Sequence, residues 1–288
     1  MDSSGRLSLA RRLPTPIRDY DETISAIVQL TAGIESELGS GARIGIGMPG
    51  AISPATGLVK NSNSTCLNGR PFQHDVEQAL NRPVRLANDA NCFALSEAVD
   101  GAGKQARIVF GAILGTGVGG GIVVDGKLLV GANAISGEWG HAPLPWPTGD
   151  ERPGPRCYCG REGCIEAFLS GPSLRRDHHR TTGTDIEPAT IVAAAAEGDV
   201  SAEATLRRYE DRLARALAAA IDLLDPDVIV IGGGLSQIGR LYQNVPRIWN
   251  SAGYIFSDRV DTRLVPPQYG DSSGVRGAAW LWSDDADV

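Results

Sequence analysis

Apolar residues recur at Ile24, Ile27, Val28, Ile34 and Leu38, close to a helical period, and Gly39 closes the run. The pattern predicts a helix over residues 21–38. The period then changes: residues 43–48 (RIGIGM) form a short buried-strand pattern ending at Pro49-Gly50. Residues 72–80 predict a helix, 84–87 a strand and 90–99 (ANCFALSEAV) another helix. The runs at 108–114 and 228–231 are continuously apolar and predict buried strands. Over 202–224, Leu206, Tyr209, Leu213, Leu217 and Ile221 share one helical face, which predicts core packing or a subunit contact. Helices are also predicted at 164–169, 188–197, 236–249 and 273–282, with a last strand at 262–265. A strand is expected at 7–13, before Pro14 and Pro16 break it. Strands alternating with helices place the chain in the α/β class.

Glycine interrupts this pattern where chemistry is expected. The run Gly115-Thr116-Gly117-Val118-Gly119-Gly120-Gly121 contains G-x-G-x-x-G at Gly115, Gly117 and Gly120. A dinucleotide fingerprint needs a helix next. Instead, 122–130 predicts two short strands around an Asp125-Gly126 turn. The run is therefore a glycine-rich hairpin. Its backbone N–H groups are open to phosphate oxygens and Thr116 adds a hydroxyl, unless it is a tight turn with no ligand. Gly232-Gly233-Gly234 leads from the strand at 228–231 towards the helix at 236–249. Such a unit aims a helix N-terminus at a phosphate or ribose, or simply packs strand against helix. Asn88-Asp89 stands where a strand ends and a helix begins. Ligands of α/β sheets bind at strand ends, and a helix N-terminus favours an ionised carboxylate. Capping alone is the competing explanation.

Three of the five cysteines fall within residues 157–164, as C-x-C-x4-C. With His141 they form a one-histidine, three-cysteine set, the donor set of a structural zinc site, unless they are three reduced thiols in a loop beside an unrelated histidine; the spacing is tighter than the usual C-x2-C ribbon. The residues between are rich in Pro and Gly and have no core of their own, so a metal would hold them. A disulfide between Cys157 and Cys159 would be strained by its one-residue spacer. Glu138 and Glu166 flank the set. In RRDHHR (175–180), His178 and His179 are expected on a solvated helix face, because nothing nearby completes a metal set.

Composition narrows the partners. The 288 residues are 42% hydrophobic and 21% charged, ample for a sizeable core in one large or two smaller domains. A net charge of −7 argues against a nucleic-acid partner held by a basic patch and suits a small-molecule ligand. No apolar run approaches the ~20 residues needed to span a bilayer. Residues 1–16 lack the apolar core of a signal peptide. An odd cysteine count fits a reducing cytoplasm.

Several long segments together resemble the ROK family of repressors and sugar kinases, and within it the bacterial fructokinases of mannofructokinase type. They are residues 52–72 (ISPATGLVKNSNSTCLNGRPF), 85–101 (RLANDANCFALSEAVDG), GEWGHAPLPW, CYCGREGCIE and GDSSGVRGAAWLW. The resemblance implies an actin-like ATPase (ribonuclease H-like) fold of two α/β domains around a cleft. Residues 1–104 would form the first domain and 105–272 the second, with the zinc loop at 141–164. The helix at 273–284 would return to the first domain. It implies Asp89 as general base and Asn68, Gly69, Arg70, Asn88, Glu138, His141 and Glu166 as sugar ligands. ATP, with Mg²⁺, would lie on Gly115, Thr116, Gly117, Gly119, Gly120, Gly121, Gly233 and Gly234. Structural Zn²⁺ would be held by His141, Cys157, Cys159 and Cys164. The expected reaction is phosphorylation of D-fructose to fructose 6-phosphate by a cytoplasmic homodimer. An N-acetylhexosamine or glucose kinase, or a catalytically silent sugar-binding protein, are the alternatives. A repressor is disfavoured by the acidic charge and the lack of an N-terminal helix-turn-helix. Members of the family begin with a strand and an Asp-x-Gly-Gly-Thr phosphate loop that this chain does not contain. Truncation or a misplaced start is expected, with two exposed sheet edges, poor stability and weak activity.

Overall fold

The computed structural model describes residues 1–2, 4–16, 19–39 and 41–283. Helix α1 (Tyr20–Leu38) is capped by the Asp19 carboxylate, which accepts from the Glu22 N–H, and is followed by β1 (Ile44–Met48). A small antiparallel pair, β2 (Ala51–Ile52) and β3 (Val59–Lys60), leads to α2 (Phe72–Leu80) and β4 (Val84–Asn88). β1 and β4 pair in parallel, Ile44 opposite Val84 and Met48 opposite Asn88. Helix α3 (Asp89–Val99) begins where β4 ends.

The second half carries a five-stranded sheet in the order β7-β6-β5-β8-β9. Its strands are β5 (Ile108–Leu114), β6 (Val118–Val124), β7 (Lys127–Leu128), β8 (Val228–Gly232) and β9 (Arg263–Val265). The helices α4 (Glu166–Leu169), α5 (Gly171–Thr182), α6 (Pro188–Ala196), α7 (Val200–Leu224) and α8 (Leu241–Ser251) belong to this half. The chain closes on α9 (Ser273–Trp280).

Side-chain alternation explains how this sheet is covered. Phe110, Ala112, Leu114, Ile229 and Ile231 join the α7 stripe of Leu206, Tyr209, Leu213, Leu217 and Ile221 in one buried core. The intervening Val109, Val228 and Val230 pack with Phe93, Ala94 and Leu95 of α3 in a second. Helix α3 is therefore fixed on the large sheet while its first residue continues the small one. A third core places Tyr20, Phe72 and Val76 beside Met48 and Val84.

Helix α9 returns across β1 and α3. A Cβ on Gly45 would lie 1.7 Å from the Ala278 carbonyl oxygen, and one on Gly277 1.6 Å from that of Cys92, so only glycine permits the approach. Buried Glu97 ties the crossings together. It accepts hydrogen bonds from the Ala102 N–H at 2.9 Å, the Gln268 N–H at 3.0 Å and the Ser273 hydroxyl at 2.7 Å.

Four expectations change. Residues 7–13 form no strand among the described residues, since their backbone finds no partner ladder; Leu7 and Leu13 are exposed. The helix expected at 236–249 is split: a single turn at Gly234–Gln237 is followed by α8, which starts only at Leu241. No long helix N-terminus therefore faces the glycines of 232–234. Helix α9 ends at Trp280, and the far end of the expected 273–284 helix reaches residue 284, outside the described residues. His178 is buried and bonds to the Thr205 hydroxyl at 3.0 Å, leaving only His179 exposed.

Candidate active site

Asp89 is the first residue of α3, and Asn88 is its N-cap. The Asn88 Oδ1 accepts from the Ala90 N–H at 2.9 Å, and its amide donates to the Gly50 carbonyl at 3.1 Å. These bonds fix the start of the helix and link it to the Pro49-Gly50 turn. The Asp89 Oδ1 accepts from the same Ala90 N–H at 2.8 Å. The carboxyl is reached from a cavity of about 470 Å³ between the halves. Desolvation by the surrounding wall raises its pKa above the usual carboxylate range, and the Ala90 N–H opposes that shift. A carboxylate with a raised pKa in a cleft is what general-base chemistry requires.

The cleft's other side is the β5–β6 hairpin and the loop that follows it. Gly115, Thr116, Gly117, Gly119 and Gly120 line the cavity; Gly121 does not. A Cβ on Gly121 would lie 2.6 Å from the Ala90 carbonyl oxygen, so this glycine serves helix packing. The Trp139 indole donates to the Gly119 carbonyl at 2.7 Å, and the Val118 N–H donates to Glu166 Oε2 at 2.9 Å. The loop is thereby stapled to the hairpin at both ends, and Glu138, His141 and Glu166 face the cleft. The Glu138 carboxylate has no hydrogen-bond partner among the described residues.

His141, Cys157, Cys159 and Cys164 present ligand atoms that all lie within 4.8 Å of one another. Cys159 and Cys164 Sγ are 3.6 Å apart, and Cys157 Sγ is 3.6 Å from His141 Nδ1. A tetrahedron with Zn–S of about 2.3 Å and Zn–N of about 2.0 Å has edges of about 3.5–3.8 Å, so the four residues fit zinc. The Nδ1 atom faces the thiols, leaving Nε2 for the cleft, where the Tyr158 hydroxyl lies 3.0 Å from it. Tyr158 was not foreseen as a cleft residue. Although Tyr158 is largely exposed, desolvation and the Glu166 and Glu138 carboxylates push its phenol up to about 12.

A second, unforeseen clamp holds the same loop. Glu151 is buried and accepts from Arg212 Nε at 2.8 Å and from Arg215 at 2.8 and 2.9 Å. Burial alone would raise its pKa, but the Arg215 and Arg212 bonds hold it down to about 2. Arg215 also donates to the Pro145 and Trp146 carbonyls.

The loop on the N-terminal side departs from expectation. The Asn68 side chain bonds the Ser62 backbone at 2.9 and 2.8 Å, and the Arg70 guanidinium lies 4.1 Å from the Tyr20 ring centroid. Asn68, Gly69 and Arg70 do not line the cavity; Asn61 and Asn63 do. Asn68 is consumed in making the turn that presents them.

Two more cavities adjoin the cleft. One of about 610 Å³ meets it at Gly115 and Thr116, and its walls include Pro188, Val192, Leu235 and Ile238. Gly234 lines it, whereas Gly233 instead packs under Leu114: its Cβ would lie 2.4 Å from that carbonyl oxygen. The other, of about 310 Å³, meets the cleft at Asn88 and Glu138. No helix among the described residues is long and apolar enough to cross a membrane.

The profile of the ROK family matches residues 1–285. The chain belongs to the ROK family. It is 38% identical over 292 residues to the N-acetyl-D-glucosamine kinase of Salmonella gallinarum, covering 99% of this chain and 94% of that protein. The ROK hexokinase of Thermus thermophilus superposes with a TM-score of 0.82 at 29% identity, over 95% of this chain and 91% of that one. A ROK glucokinase from Streptomyces griseus, solved with glucose and AMPPNP, gives 0.77 at 28% identity, over 97% and 93%. The fold is thus the actin-like ATPase fold of the ROK family, and the cluster of one histidine and three cysteines matches the zinc motif of that family. Among the expected activities, this likeness favours the N-acetylhexosamine alternative over fructose.

Proposed function

We propose that the protein is an ATP-dependent sugar kinase that phosphorylates the primary hydroxyl of N-acetylglucosamine. The carrying observation is the juxtaposition of three things in one cleft. Asp89 is a carboxylate with a raised pKa, a polar sugar wall is formed by Glu138, His141 and Glu166, and a glycine hairpin opens onto a mostly apolar chamber. The chamber suits a nucleotide base, with Gly115, Thr116, Gly117 and Gly234 at the phosphates and Mg²⁺ accompanying them. Asp89 takes the proton of the sugar hydroxyl as its oxygen bonds to the γ-phosphorus. The bond from that phosphorus to the bridging oxygen breaks, and ADP leaves with the electron pair. A positioned base contributes about 10²–10⁴ to such a step.

Glu138 and Glu166 accept from sugar hydroxyls, and His141 Nε2 and the amides of Asn61 and Asn63 complete the set. Zinc, where bound, holds the loop and takes no part in the transfer. In the same reading, residues 1–104 with α9 and residues 105–272 are two domains that close on the sugar.

The test is ADP release with N-acetylglucosamine, glucose, N-acetylmannosamine, mannose and fructose. The expected order places N-acetylglucosamine first. Preference for fructose overturns the substrate; binding of a sugar without any turnover overturns the kinase and leaves a silent sugar-binding protein.

A further inference from the structure

The C-x-C spacing decides where Tyr158 stands. Cys157 and Cys159 both present their sulfurs to the metal set, so the residue between them sits on a turn that both of its neighbours fix. Two backbone bonds tighten that turn. The Cys157 N–H donates to the Arg161 carbonyl at 2.8 Å, and the Gly160 N–H to the Cys157 carbonyl at 3.0 Å. The Tyr158 side chain reaches the cleft from there, lining the cavity that also holds Asp89, Glu138, His141 and Glu166. Its ring meets the His141 imidazole edge-on, with centroids 5.1 Å apart, and its hydroxyl lies 3.0 Å from Nε2. Yet Tyr158 is 77% exposed, so core packing does not account for its place. A phenolic hydroxyl both donates and accepts. Among the described residues this one bonds to His141 alone, which leaves half of that capacity for something in the cleft.

We infer that Tyr158 is a sugar-binding residue, and that its hydroxyl extends His141 into the cleft. With Nδ1 committed to the metal set, the imidazole keeps its proton on Nε2 and donates it to the Tyr158 oxygen. The Tyr158 O–H is then free to donate to a sugar oxygen. Glu138 and Glu166 stand in the same wall and accept the proton of that sugar hydroxyl. One hydroxyl of the sugar thus meets a donor and an acceptor together, which is what a polyol oxygen needs when it leaves water. The ring adds an apolar surface for the sugar's C–H groups at the cavity mouth. Because both neighbours of Tyr158 are held by the metal set, its backbone is placed before the sugar arrives. This inference rests on the sugar-kinase reading and adds to it a contact that the acidic and glycine motifs do not contain.

The experiment compares the parent with Tyr158→Phe and Tyr158→Ala. It measures N-acetylglucosamine binding by calorimetry without ATP, kcat and KM for sugar and for ATP, zinc per chain, and melting temperature. Tyr158→Phe keeps the ring and removes the hydroxyl. It should raise Kd and KM for the sugar by about two- to tenfold, the size of one lost hydrogen bond. The KM for ATP, the zinc content and the melting temperature should stay at the parent's values, because the side chain is exposed. Tyr158→Ala should weaken the sugar by about a further twofold, through the lost ring surface. A Tyr158 that only shapes the zinc loop would give the reverse pattern: Tyr158→Phe would bind like the parent, and Tyr158→Ala would lose zinc and melt earlier. Sugar binding that is unchanged or tighter in Tyr158→Phe overturns the contact while the kinase reading stands on the parent's turnover. A sugar that binds the parent, weakens in Tyr158→Phe and is phosphorylated by neither supports the contact and overturns the kinase reading. Absence of sugar binding to the parent overturns both.

Discussion

Two irregular segments frame the cleft, and they are held by different means. Residues 61–70 turn through the bonds of Asn68 to the Ser62 backbone, and Arg70 at their end lies over the Tyr20 ring of α1. Residues 141–166 are drawn together by their own histidine–cysteine cluster at one place and anchored from outside at another, where Glu151 is buried between Arg212 and Arg215. The first segment uses its polar side chains to shape itself and offers Asn61 and Asn63 to the ligand. The second brings His141 and Glu166, with Glu138 just before it, to the cleft: His141 turns Nδ1 to the thiols and Nε2 to the cleft, and Glu166 keeps one oxygen on the Val118 N–H. A loop without a core can present several polar side chains in fixed geometry when something else offsets the ordering entropy.

That contrast can be broken at its strongest anchor first. Cys159→Ser should leave zinc well below one per chain by metal analysis. It should also lower the melting temperature by about 10 °C or more, since structural zinc contributes several kcal/mol. Undiminished zinc would sink the four-ligand assignment. Next, Asp89→Asn should cut kcat by about 10²–10⁴ with both loops intact. Because desolvation in the cleft raises the folded-state pKa of Asp89, an otherwise accessible carboxyl, above its unfolded value, ionising it costs stability as pH rises through that pKa. The variant should therefore be no less stable than the parent at neutral pH; a large loss of stability would assign Asp89 a structural role.

Glu151→Gln tests the ionic clamp. It leaves two buried guanidiniums short of a charge and should cost about 3–5 kcal/mol by denaturant titration. The folded pKa of Glu151 is depressed to about 2, below the unfolded ~4.3. Its stabilisation is thus full above the unfolded value and is lost as pH falls towards 2. The parent's advantage over the variant should shrink across that acid window and stay flat at neutral pH. The smallest effect belongs to the N-terminal segment. Arg70→Ala removes a cation–π contact on an exposed arginine and should cost no more than about 1 kcal/mol, with KM for the sugar nearly unchanged. A tenfold rise in KM would return Arg70 to the cleft.

What could be read along the chain follows from the range of each signal. The helices at α1, α2 and α7 and the strands β1, β5 and β8 announce themselves by period and by their glycine or proline stops. The hairpin after Gly115 is separated from a dinucleotide fold by the strand pattern that follows it. The three cysteines of the candidate metal set were legible because their spacing is local, and the fold brings His141 to them. The strand expected at 7–13 failed because a strand needs a neighbour, and no local pattern supplies one. The segment 232–241 reads as strand, turn and helix, yet its first turn is separate from α8.

By itself the sequence determined the α/β class, the candidate one-histidine, three-cysteine set, the glycine hairpin and Asp89 at a strand-to-helix junction. These depend on patterns within one stretch of chain, a few residues for the hairpin and the junction and about two dozen for the histidine–cysteine set. Only the tertiary structure decided that Asn61 and Asn63 face the cleft while Asn68 and Arg70 do not. The same holds for Glu151, buried between two arginines 61 and 64 residues further along, and for Asn91, whose buried oxygen has no partner among the described residues. Each of those outcomes turns on which polar groups find partners, and the partners come from distant parts of the chain.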